Sequence, residues 1–274
     1  MSKKVPEGST IILRATVGST VHGTNVSDTA DIDEMAIAIE PMRYVIGLQH
    51  WESAVIRTQP DGVRSQPGDQ DLTVHSLRKF CKLAIKGNPS LLIALFVPHE
   101  AVSERNEIGR DLQRNRQMFL SKDAGDTFIH YMHSQRNRMT GESGSRHGAP
   151  RPELIEKYGF DTKYAGHIVR LGLQGIELME TGHMSLPMQK AHREEVVAVR
   201  TGQVPFDDVV LRAGVLELKL RQAVDNTRLP EHADVEAVDR FLSEAYCRQW
   251  GALWHKLAPS PYEQEQNAKL RLPV

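Results

Sequence analysis

Cysteine is nearly missing from this chain: Cys81 and Cys247 are the only two in 274 residues. That excludes a disulfide framework and a cysteine-built zinc cluster, and makes a reducing, cytoplasmic setting the expectation. Net charge is also small, at −1. There is no global pull toward nucleic acid or an anionic membrane, so any anion-binding surface must be local. No apolar run approaches the ~20 residues needed to cross a bilayer. The opening Met1-Ser2-Lys3-Lys4-Val5-Pro6 lacks the apolar stretch of a signal peptide. P-loop and dinucleotide fingerprints are missing too. What remains is ordinary for a globular protein, with 40% hydrophobic and 25% charged residues, and is long enough for one large or two modest domains.

The most informative segment runs from Gly18-Ser19 to Asp31-Ile32-Asp33. The residues that follow, Ala36-Ile37-Ala38-Ile39, fit a buried strand. On a strand, residues i and i+2 share a face, so Asp31 and Asp33 would point at one site. Two carboxylates on one face repel each other unless a cation neutralises them. Magnesium, or manganese, takes oxygen ligands of this kind and then holds phosphates. A Gly-Ser turn supplies backbone N–H groups and a hydroxyl suited to phosphate oxygens. Together these point to a metal-dependent nucleotide site.

Ile11 to Ala15 reads as a strand or a short helix; its length does not decide. Pro60-Asp61-Gly62 and Pro67-Gly68 mark turns. The pattern predicts helices over Thr73–Lys86, ending at Gly87-Asn88-Pro89, and over Ser90–Phe96. Gly141 to Pro152 is the best linker candidate. Further helices are predicted at 163–181, 190–200, 207–226 and 234–254. The expected division is a nucleotidyl-site core over 1–100, a helical domain over 101–258 and a tail over 259–274.

Two of these helices carry basic stripes. On the first, His75, Arg78, Lys79, Lys82 and Lys86 fall on one side and Leu77, Phe80, Cys81, Ala84 and Ile85 on the other. A solvated face explains such a stripe, but this one follows Gln70-Asp71-Leu72, and a carboxylate beside cations suits a metal with polyphosphate. The 163–181 helix is apolar around most of its circumference, apart from one line: Lys163, His167, Arg170, Gln174 and Glu177. A helix of that kind is buried, so its polar line faces either a cleft or a strip of surface. In a cleft, Lys163, His167 and Arg170 can hold phosphate by charge-assisted hydrogen bonds.

With Gly18-Ser19, Gly23 and Asp31-x-Asp33 assembled, the chain resembles the DNA-polymerase-beta-like nucleotidyltransferase superfamily. It is most similar to nucleotidyltransferases associated with RNA-repair pathways. Leu77-Arg78-Lys79-Phe80, Lys86-Gly87-Asn88-Pro89, Phe119-Leu120-Ser121-Lys122, Lys163 with His167 and Arg170-Leu171, Glu180-Thr181-Gly182 and Leu229-Pro230 carry that likeness. The resemblance implies an α+β fold, a small mixed twisted sheet with flanking helices followed by a helical domain. It implies transfer of a nucleoside monophosphate from a nucleoside triphosphate such as ATP, with pyrophosphate released. Asp31 and Asp33 match the metal-binding aspartates, and Gly18 and Ser19 the turn that holds the triphosphate. Asp71 is the choice for third carboxylate, with Asp69 competing. His22 stands where an aromatic residue is common in the nucleotide grip, and Ala30 where serine is usual, with Asp28 close by. Lys163, His167, Arg170 and Lys79 would offset charge on the leaving pyrophosphate.

Three acceptor readings stay open: an RNA end, a protein or small-molecule hydroxyl, and a non-catalytic relative that only binds nucleotide. Arg136, Arg138, Arg146, His147 and Arg151 form a basic segment that reads either as a solvated loop or as a mobile clamp on RNA phosphates or on the triphosphate. His130-x-x-His133 lacks the glutamate of a zinc-protease pair and is set aside. Cys81, on the apolar side of its helix, reads as core.

Overall fold

The computed structural model describes residues 4–26, 32–58, 69–140 and 151–257, with backbone alone for 252–257. Asp28, Ala30, Asp31, the turns at Pro60-Asp61-Gly62 and Pro67-Gly68, Arg146, His147 and the tail lie outside the described residues.

The sheet is built first along the chain. Strand β1 (Thr10–Thr16) leads into the short helix α1 (Gly18–His22), then come β2 (Ile32–Ile39), β3 (Ser53–Arg57) and β4 (Gln70–Ser76). Helices α2 (Leu77–Ala84) and α3 (Pro89–Phe96) follow, then β5 (Val102–Arg105). The strand order is β3-β4-β2-β1-β5. β2 and β4 run parallel, and every other pair is antiparallel. The open reading of Ile11–Ala15 resolves to strand: Ile12, Leu13 and Ala15 are buried in the sheet. A register shift between Ile11 and Leu13 lets the consecutive Ile12 and Leu13 both join the main core.

One expectation is corrected here. Thr73–Ser76 is strand, and the helix starts at Leu77. The stretch pairs with β2 from Ile32↔Gln70 through Ala38↔Ser76, and β-branched Thr73 and Val74 suit that pleated, half-buried place. Ser76 then caps α2, its hydroxyl accepting from the Lys79 backbone N–H at 3.1 Å. The alternation of β2 separates two cores. Met35, Ile37 and Ile39 face the main cluster, while Ala36 and Ala38 pack with Val74, Ala54 and Trp51 on the other side.

The rest is helical: α4 (Glu107–Arg114), α5 (Lys122–Met139), α6 (Pro152–Tyr158), α7 (Thr162–Thr181), α8 (Lys190–Arg200), α9 (Phe206–Asn226) and α10 (Val235–Leu257). The fold is α+β. A single hydrophobic cluster joins Ile37 of the sheet to Phe80, Phe119, Phe128, Leu171 and Leu216 of the helices. Each such side chain, fully buried, contributes ~1.5–3 kcal/mol. Cys81 is core as read, and burial pushes its thiol up to about 12. α10 returns to the first part of the chain: the Tyr246 hydroxyl donates to Glu40 Oε2 at 2.9 Å and Trp250 Nε1 to the Glu40 carbonyl at 3.2 Å. Among the described residues no helix is long and apolar enough to cross a membrane.

Candidate active site

Asp33 sits at the leading end of β2, on the face that Met35, Ile37 and Ile39 continue into the main core. Parallel pairing sets it directly beside Asp71 of β4. Both carboxylates border a cavity of about 420 Å³, within the size range of small-molecule sites. Asp71 has a cation nearby, with Arg57 Nε 3.7 Å from its Oδ1. Asp69, the competing third carboxylate, instead accepts from the Thr58 hydroxyl at 3.0 Å and does not border the cavity. Glu34 reaches the cavity wall but is tied to the Arg14 guanidinium.

The Gly18-Ser19 pair opens α1 against this acidic edge. The Val17 N–H donates to the Asp33 carbonyl at 2.8 Å. Gly18 has φ +67°, and a Cβ there would lie 2.3 Å from Asp33 Oδ2. Only glycine permits that approach. Ser19 borders the cavity, and the first turn of α1 has backbone N–H groups without intrahelical partners.

The opposite wall is cationic. Asp161 starts α7 by accepting from the N–H groups of Lys163 at 3.0 Å and Tyr164 at 3.2 Å, and it also pairs with Arg151 at 3.0 Å. From that start the 3.6-residue period carries Lys163, His167 and Arg170 along the cavity. Arg170 donates to Gln174 Oε1 at 2.9 Å and lies 3.2 Å from His22 Nε2. His22 is 2% exposed, and its Nδ1 is 3.1 Å from Gln174 Nε2. His167 and Arg170 are packed in dense protein yet keep some surface open to the cavity. Burial, then the charge of Arg200, lowers Arg170 to about 10. Burial, then Arg170, holds His22 and His167 well below the usual imidazole range. Among the described residues, no carboxylate pairs with Arg170. A guanidinium kept in such a place without a carboxylate is costly unless an anion joins it.

Sequence reasoning missed two cations. Arg200, the last residue of α8, donates to the Thr24 carbonyl, and its stem crosses α7 at Gly166, where a Cβ would press on Arg200 Cγ. That mid-helix glycine was the available signal. Arg57 had none, because it arrives by strand pairing. Lys79 is a correction: it does not border the cavity. Because α2 starts four residues later than the pattern suggested, Lys79 points to Glu52, with Nζ 3.0 Å from Oε2. Asp33, Asp71, Gly18, Ser19, His22, Lys163, His167 and Arg170 all border the one cavity.

The family model for the RNA repair pathway DNA polymerase beta family matches residues 2–244. The chain belongs to that family. Membership of a polymerase-beta-type nucleotidyltransferase family points to nucleotidyl transfer in general. The chain is also similar to a phage T4 protein described as an uncharacterized 38.9 kDa protein of the nrdC-mobD intergenic region, 27% identical over 145 residues. That match takes in 52% of this chain and spans less than half, 42%, of the relative's length. A crystal structure of a nucleotidyltransferase-like protein from Exiguobacterium sibiricum matches with 13% identity, covering 86% of this chain and 73% of that one. Its TM-score, 0.30, is too low to bear on the fold.

Among the described residues no three His, Cys, Asp or Glu side chains converge as a metal cluster. Asp33 and Asp71, neighbours on one sheet face with hard oxygen donors, fit magnesium or manganese in donor type. Arg57 partly offsets the charge of Asp71.

Proposed function

We propose that this cavity performs nucleotidyl transfer: a nucleoside monophosphate moves from a nucleoside triphosphate to an acceptor hydroxyl, and pyrophosphate leaves. One observation supports this above all. Carboxylates on strands face cations on helices across one cavity, and Arg170 among those cations has no carboxylate of its own among the described residues. A triphosphate is the ligand that needs both walls. In this reading residues 1–100 supply the acidic edge and the Gly-Ser turn, while 101–258 supply the cations.

The acceptor oxygen forms a bond to the α-phosphorus as the bond from that phosphorus to the bridging oxygen breaks. The α1 amides and the Ser19 hydroxyl hold the terminal phosphates. Lys163, Arg170 and Arg200 offset charge gathering on the departing pyrophosphate. Asp33 and Asp71, with Asp31, would hold magnesium or manganese, which when bound neutralises the carboxylates and polarises the phosphate. An Asp71 oxygen accepts the hydrogen bond that orients the acceptor hydroxyl and takes its proton as the new bond to phosphorus forms. His22 and His167, held neutral, frame Arg170 without adding charge of their own.

The test is transfer of labelled nucleotide to RNA, protein and small-molecule acceptors offered separately. Asp33→Asn combined with Asp71→Asn should slow transfer at least about a thousandfold, ~4 kcal/mol in barrier. Wild-type transfer by that variant rejects the site. Label on protein alone moves the acceptor away from RNA.

A further inference from the structure

α3 connects the candidate active site to a second hollow. Ser90 and Ile93 border the first cavity, whereas Leu95 and Phe96 border a separate hollow of about 310 Å³. Arg105, Arg110, Arg114, Arg116 and His183 line it as well, with Val97 and Gln113. Among the described residues, two carboxylates serve the arginines here. Glu107 pairs with Arg110, while Asp111 is shared by Arg114 at 3.4 Å and Arg248 at 2.8 Å. Neither Arg105 nor Arg116 has a carboxylate partner among those residues. Arg105 donates to the Gln113 side chain. Arg116 donates to the Gln113 carbonyl at 3.1 Å, and its Nε is buried with no partner.

The hollow also carries planar groups. The Arg116 guanidinium lies 5.4 Å over the centre of the Phe96 ring, and His183 meets that ring edge-on at 5.5 Å. A guanidinium backed by one aromatic ring, with the exposed His183 imidazole beside it, suits a backbone phosphate and a neighbouring unstacked base, the chemistry of a single strand. From Ser90 to Phe96, six residues along α3, the helix rises ~9 Å at ~1.5 Å each. That is roughly the rise of two to three stacked nucleotides at ~3.4 Å.

We propose that this arginine hollow binds a backbone phosphate of a single-stranded nucleic-acid acceptor, a few nucleotides from the end presented to Asp33 and Asp71. The proposal rests on the nucleotidyl-transfer reading for its direction, and on the arginines for its ligand. A net charge of −1 is compatible with such binding, because four arginines are gathered locally at this hollow.

The test uses the full chain and a labelled 12-nucleotide single strand, as RNA and as DNA, in anisotropy titrations over a salt series. ATP affinity is measured in parallel by calorimetry. Arg114→Gln with Arg116→Gln should weaken strand binding at least tenfold and flatten the slope of log K against log salt by ~0.7 for each phosphate no longer neutralised. ATP affinity should not change. Arg105→Gln, with thermal melts confirming the fold of each variant, gives an independent second reading. Arg170→Gln should do the reverse, losing ATP and keeping the strand. Unchanged strand affinity and slope in both arginine variants overturns the proposal. If Arg170→Gln keeps ATP while the arginine variants lose the strand, the cleft reading fails and the hollow stands. RNA bound at least tenfold more tightly than DNA names RNA as the acceptor, and equal binding supports a phosphodiester strand of either sugar.

Discussion

The two walls of the candidate active site are held in place by different physics. The acidic wall is made of neighbours: Asp33 and Asp71 lie opposite each other in one strand ladder, and Gly18 presses its backbone against the first of them. Hydrogen bonds of the sheet fix their spacing. The cationic wall is assembled from distant segments, with Lys163 and Arg170 on α7 and Arg200 at the end of α8. Arg170 is held there by packing and by neutral partners, Gln174 and His22. The acidic wall therefore has local compensation, through Arg57, while Arg170 on the cationic wall has no carboxylate among the described residues. The ligand therefore matters most at Arg170.

That contrast can be broken most sharply at Gly18. Gly18→Val adds a Cβ at φ +67° and within 2.3 Å of Asp33 Oδ2. The expected result is a loss of stability of ~1–3 kcal/mol and of transfer by at least about a hundredfold, read by thermal melts and labelled-nucleotide assays. A fully active Gly18→Val would mean the turn does not set the position of Asp33. Arg170→Gln should separate binding from stability. Triphosphate affinity falls about ten- to a hundredfold, ~1.4–3 kcal/mol, while the melting temperature holds or rises because a costly charge is gone. A clear drop in melting temperature would show that Arg170 is structural.

Acid sharpens the comparison further. His22 faces Arg170, Gln174 and Arg200, and His167 faces Arg170, Lys163, Arg200, Arg151 and Gln135. Both imidazoles resist protonation in the folded state, whereas the unfolded chain takes protons near pH ~6.5. Stability is thus undiminished above about pH 6.5 and falls as the pH drops below it toward the folded values. Melts between about pH 7.5 and 5.5 check this. Pyrophosphate should reduce the fall, since an anion beside the rings favours their charged forms; an identical fall with and without it counts against anion binding there. The smallest effect is expected at Lys79, whose partner is Glu52. Lys79→Ala should cost under ~1 kcal/mol and leave triphosphate affinity within about twofold.

Much of this was legible from residue order alone. The apolar run Ala36–Ile39 gave away β2, and α7 to α10 begin within a residue of their expected starts because long amphipathic patterns are hard to mistake. The polar line on α7 left a cleft and a surface strip equally open, and the structure puts Lys163, His167 and Arg170 on the cavity while Glu177 turns to Ser185. Thr73–Ser76 misled because so short a stretch fits either period, and the strand that claims it, β2, lies far back in the sequence. Lys79 was misplaced by the same slip. Arg57 was out of reach because strand pairing, not spacing, brings it in, and Arg200 left only an indirect trace in the mid-helix Gly166 it crosses.

The grip of α10 on Glu40 has a temporal consequence. Glu40 follows directly on β2, the strand that presents Asp33 at its other end, and the residues that hold it, Tyr246 and Trp250, come more than two hundred positions later. During synthesis, then, Ile39 can pair with Thr10 early, while Glu40 beside it gains Tyr246 and Trp250 only after about two hundred further residues are made. A nascent chain stopped before Tyr246 leaves the Glu40 carboxyl without its phenol partner.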